Sequence, residues 1–204
     1  MCDSRLVQTK LNLEKKGYAV KIFNDREEAV DYLDNIIDNQ TVGIGGSVTS
    51  EQINLFPKLS AHNKVFWHYG IPEGMTEKKA RLAATRSEIY ISSVNAISES
   101  GEIVNIDRVG NRVAGISFGP EKVYFLVGIN KITPDLDSAI YRARNVAAPL
   151  NAKRLKLKTP CAKKADKCYD CKSPDRICCN MSIFLHKPIG REYEVVLINE
   201  PLGY

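Results

Sequence analysis

Segments with helical spacing of apolar residues alternate with short β-rich segments through the first half of this 204-residue chain. That alternation limits the fold to helices packed on a largely parallel sheet. Arg5 to Lys16 sets Leu6/Leu13 and Val7/Leu11 at helical spacing, and Tyr18 to Phe23 alternates as a strand does. Asn24 is placed to cap the next helix, with Glu27 three residues on in a capping-box position. Ala29, Leu33, Ile36 and Ile37 would then share its buried face. Thr41 to Ile44 predicts a short buried strand, and Val48 to Leu59 a helix disturbed by Pro57. Lys64 to Tyr69 predicts a strand and Thr76 to Ser87 a polar, Ala-rich helix.

Strands cluster in the second half. Ile89–Ile97, Glu102–Ile106, Arg112–Phe118 and Lys122–Ile129 are predicted strands, with tight turns at Gly101 and Gly110-Asn111. Asp135 to Ala147 predicts a helix with Leu136, Ile140 and Ala143 inward, and its pattern ends after Pro149. Met181–His186 and Tyr193–Asn199 predict two closing strands. The expectation is one α/β domain over residues 1–204, with an open, mixed, mostly parallel sheet flanked by helices. Its parts would be a core over 1–150, an aperiodic insertion over 151–180 and the closing strands over 181–204. No apolar run approaches the roughly 18–20 residues of a membrane helix. Met1 to Lys10 lacks a basic-then-apolar leader, so a cytoplasmic location is expected.

The net charge of +5 is concentrated in one place. Asn151 to Lys172 carries eight basic residues against Asp166 and Asp170, a net +6, which leaves −1 for the remaining 182 residues. A uniformly basic nucleic-acid binder is therefore not indicated, and Tyr169 alone stands among those lysines for base stacking. The cysteines are equally uneven. Cys2 stands apart, while Cys161, Cys168, Cys171 and Cys178 run C-x6-C-x2-C-x6-C, with Cys179 adjacent. Four thiolates suit tetrahedral zinc or an iron–sulfur cluster, and the spacing, which matches neither a zinc ribbon nor a ferredoxin, does not separate the two. The alternative is buried or free thiols with no metal.

Two stretches carry candidate ligand chemistry. Gly43-Ile44-Gly45-Gly46-Ser47-Val48-Thr49-Ser50 joins a strand to a helix. Glycines there would let the backbone approach a ligand or adopt positive φ, and the helix start and the hydroxyls of Ser47, Thr49 and Ser50 suit a phosphate or carboxylate. The simpler alternative is a turn with Ser47 or Thr49 as cap. The loop has neither Walker nor dinucleotide spacing. Between Ser92 and Arg112, the side chains of Asn95, Asn105, Asp107, Asn111 and Arg112 stand at strand ends and turns. Such groups converge above the carboxyl edge of α/β sheets. Glu99 is a candidate general base or nucleophile and Arg112 a candidate carboxylate clamp, against the alternative of ordinary turn chemistry. His62, His68 and His186 stand isolated and are expected to be structural.

Taken together, several of these strings resemble the LUD-domain family, which includes the lactate-utilisation protein C group. They are Gly45-Gly46-Ser47-Val48-Thr49, Ser93-Val94-Asn95-Ala96-Ile97 continuing through Glu99 and Gly101 to Asp107, and Gly110-Asn111-Arg112-Val113. Further along come Gly119-Pro120, Val127-Gly128, Asn130-Lys131-Ile132, Ala147-Ala148-Pro149, Asn151-Ala152 and the Glu200-x-Leu202-Gly203 tail. The cysteine segment resembles one branch of that family and not its shorter lactate-operon members. The resemblance implies a fold like the ribose-phosphate isomerase, glucosamine-phosphate deaminase and CoA-transferase superfamily, with Asn130 and Lys131 joining the ligand residues. It implies a role in oxidising L-lactate or a related 2-hydroxy acid to pyruvate beside iron–sulfur partner proteins. Two alternatives stand beside that role. One is a separate enzyme for a phosphorylated sugar or CoA ester, a small anionic metabolite in either case; the other is a zinc-stapled binding module.

Overall fold

The computed structural model describes residues 3–71 and 73–204, so Cys2 lies outside the described residues. Helix α1 (Ser4–Lys15) is capped by Asp3 and followed by strand β1 (Ala19–Phe23). Helix α2 (Arg26–Ile36) is capped by Asp25, which accepts from the Glu28 N–H, while the Glu28 carboxylate accepts from the Asn24 N–H at 2.9 Å. The capping box thus sits one residue later than the Asn24/Glu27 pairing. The helix register is set by burying Ala29, Val30, Leu33 and Ile37, and Ile36 faces out.

Strand β2 (Thr41–Ile44) leads into α3 (Val48–Gln52) and α4 (Leu55–Ser60). The break between these helices is Asn54 in the left-handed region (φ 51°), not Pro57. Pro57 falls in the first turn of α4, where no intrahelical N–H is needed. Then come β3 (Lys64–Trp67), α5 (Glu77–Thr85), β4 (Ile89–Ser93), β5 (Ala96–Ser98) and β6 (Ile103–Asp107). The expected long strand Ile89–Ile97 is therefore two strands, broken at Val94-Asn95 and placed in different sheets.

Helix α6 (Asn111–Ser117) replaces the strand expected over Arg112–Phe118. The Asp107 carboxylate accepts from the N–H groups of Val109, Arg112 and Val113, filling donors that a helix start leaves open. Strand β7 (Lys122–Gly128) runs through a 3₁₀ turn into β8 (Ile132–Thr133). Helix α7 (Leu136–Arg142) continues through a π turn at Ala143–Ala147 into α8 (Ala148–Arg154), so the helical run passes Pro149. Pro149 sits in the first turn of α8, and the wider turn before it accommodates the missing N–H. After α9 (Pro160–Lys164), residues 165–179 form no helix or strand, and β9 (Asn180–Phe184) and β10 (Glu192–Ile198) close the chain.

Six strands form one parallel sheet in the order β1-β10-β7-β4-β2-β3. The closing strand β10 is thus paired on both sides, to β1 and β7, which explains its near-continuous apolar sequence. Alternate residues of the central strands feed two cores. Val123, Phe125, Val127, Tyr193, Val195 and Leu197 face α1 and the second sheet, while Tyr124, Leu126, Val196 and Ile198 face α2 to α4. The remaining strands form a separate mixed sheet, β8-β5-β6-β9. One face of that sheet packs on the first core through Ile97, Ile103 and Phe184. Its other face, through Ala96, Val104 and Ile106, carries α7, α8, Ala162 and Ile177. This division into two sheets was not anticipated in the sequence. No helix among the described residues is long and apolar enough to cross a membrane.

Candidate functional site: a cationic cleft at the carboxyl edge

A cleft of about 640 Å³ opens where five parallel strands end. Gly46 to Thr49 follow β2, His68 and Tyr69 follow β3, Ser93 ends β4, Lys131 follows β7, and Gly203 follows β10. The connection after β6 (Asp107 to Asn111) and helix α8 (Asn151, Arg154) close the opposite side. Ligands of parallel α/β sheets bind at this edge because the strand ends and the loops after them converge there.

The glycines of the loop are explained by close packing. None of Gly43, Gly45 and Gly46 has a positive φ. A Cβ on Gly43 would stand 2.1 Å from the Ala84 carbonyl oxygen, because α5 lies directly on β2. A Cβ on Gly45 would meet Tyr90 Oη and Ser92 Oγ at 3.1 Å and Arg112 Cγ at 3.2 Å, and one on Gly46 would meet the His68 ring at 3.0 Å. Gly45 lies behind the cleft wall and Gly46 in it. Ser47 caps α3 by accepting from the Ser50 N–H, and that helix is only five residues long.

The floor is built from hydroxyls around one amine. Lys131, 2% exposed, donates from Nζ to Thr49 Oγ1 at 2.8 Å and Ser93 Oγ at 2.5 Å. Ser93 in turn donates to the Leu126 carbonyl at 2.7 Å. Among the described residues no carboxylate pairs with Lys131. Burial, with the cations of Arg142 and Arg112 nearby, pushes its pKa well below that of an ordinary lysine. Asn130 does not face the cleft but secures the tail beside it. Its side chain accepts from the Leu202 N–H at 3.0 Å and donates to the Gly203 carbonyl at 3.3 Å.

Arg112 lines the cleft, but its guanidinium is occupied by the protein. It donates to the carbonyls of Ser93 (3.1 Å) and Ile106 (2.5 Å), to Asn95 Oδ1 (3.0 Å) and to Asn105 Oδ1. The side chain expected to clamp a carboxylate is thus a brace that ties β4 to β6, and it gives the cleft charge more than free donors. Asn105 is fully buried beneath it. The Asp107 carboxylate is spent on the start of α6, and Asn111 and Asn95 line the wall. Glu99 is not at the cleft. It lies on the β5–β6 turn against α1, where Asn12 donates to its carbonyl and its own N–H donates to Thr133.

The rim escaped the sequence reasoning. His68, expected to be merely structural, packs its ring at a tilt against Tyr69, centroids 4.4 Å apart, and is held below its ordinary pKa by burial and then by Arg81. Arg81 pairs with Glu77, and Arg154 donates to Tyr69 Oη at 3.0 Å. Arg154 carried a signal only as one residue of the basic stretch, and Arg81 carried none beyond its place on a polar helix.

The four cysteines lie apart from this cleft. Three of their sulfurs have separate partners: Thr159 Oγ1 for Cys161 (3.3 Å), the Asp170 N–H for Cys168 (3.4 Å) and Arg176 for Cys178 (3.2 Å). Among the described residues no three His, Cys, Asp or Glu side chains are grouped to hold a metal ion. The segment is held by Ala162 and Ile177 in the core, the Ser173–Lys158 bond (3.1 Å) and the Cys168 N–H on Asn145 (3.0 Å).

Fold and site together define an α/β protein with a cationic cleft at the carboxyl edge of a parallel sheet. The chain belongs to the LUD-domain family, whose model matches residues 6–198. A DUF162 family protein from Deinococcus radiodurans, known from a crystal structure at 1.70 Å, has a similar fold. It covers 96% of both chains at 12% identity with a TM-score of 0.54. The eIF2B beta of Chaetomium thermophilum is 17% identical over 65% of this chain and 44% of its own, and its TM-score of 0.34 carries no argument. No curated protein matches the chain.

Proposed function

We propose that this LUD-family domain is an enzyme for a phosphorylated, sugar-sized metabolite, which it holds through its anionic group at the carboxyl edge of the sheet. The observation that carries this is the charge of the cleft lining. Among the lining side chains, Arg81, Arg108, Arg112 and Arg154 stand against Glu77 and Asp107, and the Asp107 carboxylate is already consumed by backbone N–H groups. Cations gathered in a partly desolvated cleft favour an anion that neutralises them. The volume of about 640 Å³ lies within the roughly 300–1,000 Å³ of small-molecule sites, and a three-carbon acid fills only a fraction of it.

Family membership favours a second reading, in which the same cations take the carboxylate of L-lactate or a related 2-hydroxy acid and the protein works beside iron–sulfur partners. Thermal unfolding with ribose 5-phosphate, a CoA ester, L-lactate and pyruvate separates the two. A ligand at about 100 times its Kd stabilises by about 2.7 kcal/mol, a shift of several degrees. A shift with the phosphorylated compounds supports the first reading. A shift with L-lactate alone favours the second, and no shift with any of them removes the cleft as an anion site.

A further inference from the structure

We propose that Lys131 is a nucleophilic amine that condenses with the carbonyl carbon of the bound metabolite to form a covalent imine. This rests on the anionic-metabolite reading of the cleft and deepens it: the ligand class becomes a ketone, aldehyde or 2-oxo acid that carries a phosphate or carboxylate.

Three features of the floor lead there. The first is access. Lys131 is 2% exposed and lines the cleft, so the cleft is its route to a reactant. The second is the hydrogen count. A neutral amine has two hydrogens and one lone pair, and Nζ has two acceptors, Thr49 Oγ1 and Ser93 Oγ. The Ser93 hydrogen is committed to the Leu126 carbonyl and the Thr49 hydrogen to Ser93 Oγ at 3.1 Å, so both hydroxyls receive from the amine, and in its neutral form the nitrogen lone pair is left over. The third is space. Gly203 adopts φ +63°, and a Cβ there would stand 2.5 Å from Thr49 Oγ1 and 3.1 Å from Nζ. The tail passes over the amine without covering it with a side chain.

The charged groups acting on Lys131 are the cations of Arg142, on α7, and Arg112, on α6, and among the described residues no carboxylate pairs with it. Those cations and burial favour the unprotonated amine that such chemistry needs. In the step itself, the Nζ lone pair forms the C–N bond while the carbonyl π pair moves to oxygen. Oxygen gains one proton and nitrogen loses one, giving a carbinolamine. Departure of that oxygen as water, with loss of the second nitrogen proton, leaves the C=N bond. One water is released, no electrons change hands and no co-reactant is needed.

The test is reductive trapping on the whole chain. The protein is incubated with dihydroxyacetone phosphate or pyruvate and cyanoborohydride, then digested and mapped by mass spectrometry. Expected is one reduced adduct on Lys131, formed ahead of the exposed lysines, suppressed by inorganic phosphate and lost in Lys131→Met and Lys131→Arg. Mapping on the unaltered protein locates the adduct even where a variant fails to fold. Thermal stabilisation by either compound with no adduct at Lys131 overturns the imine and leaves the anion cleft standing. Absence of both stabilisation and adduct overturns both.

Discussion

Replacing Arg112 by Met separates a structural brace from a ligand clamp. Met preserves most of the stem volume but removes the guanidinium that donates to the Ser93 and Ile106 carbonyls and to the side-chain oxygens of Asn95 and Asn105. Four acceptors at the junction of β4, β6 and α6 would lose a charged donor together, and Asn105 is fully buried. Each hydrogen bond to a charged group contributes roughly 1.5–3 kcal/mol, and water entering from the cleft recovers part of it. A net loss of about 3–5 kcal/mol is expected, in line with breaking a desolvated charged network. Arg112→Lys should recover little, because one ammonium cannot span four acceptors in a plane. Urea denaturation followed by tryptophan fluorescence and by circular dichroism measures the loss. A stability within about 1 kcal/mol of the unaltered protein would refute the brace, because surface side chains fall in that range.

Two further outcomes follow from the geometry. Gly43→Ala places a methyl 2.1 Å from the Ala84 carbonyl oxygen, so α5 must lift from β2; urea denaturation should show a loss of about 1–3 kcal/mol or more, and no change would mean the contact is soft. Burial alone would raise the Glu102 carboxyl, but hydrogen bonds from Lys16, Ser100 and Ser98 hold it down at about 2. Its folded pKa is below its unfolded one, so its stabilisation is full above about pH 4.5 and is lost as pH falls toward 2. Denaturation between pH 5 and pH 2 should show about 1–3 kcal/mol of acid sensitivity attributable to this group. Glu102→Gln should flatten that slope, and an unchanged slope would contradict the assignment.

Much of the architecture was legible because the strands of the parallel sheet are short apolar runs between amphipathic helices. Strand β2 was read to the residue, since Thr41 to Ile44 is bounded by turn-forming residues. The errors have physical causes. Arg112 to Phe118 reads as a strand, with Ala114, Ile116 and Phe118 alternating, but Asp107 supplies a helix start and Gly115 lets α6 lie on the Tyr90 ring, where a Cβ would stand 2.5 Å away. Local pattern holds no information about that contact. The break inside Ile89–Ile97 is likewise tertiary, since β4 and β5 are equally apolar and only their partners differ. At the site, the residue types were informative where the backbone ends a strand: Ser47, Thr49 and Asn95 reach the cleft, while Lys131, which also lines it, entered only through the family resemblance. Glu99 had the right chemistry but belongs to a turn at α1, and the rim arginines lie on helices whose facing no spacing rule reveals.

The central claim is that the cationic cleft binds a phosphorylated metabolite. Isothermal titration of the chain with ribose 5-phosphate or dihydroxyacetone phosphate tests it most directly, beside Arg81→Ala and Arg154→Ala, two rim positions outside the Arg112 brace. The account predicts saturable binding by the unaltered protein that weakens with added salt and falls about tenfold or more in each variant. Binding that is equal in all three proteins, or absent from the unaltered one, would contradict it.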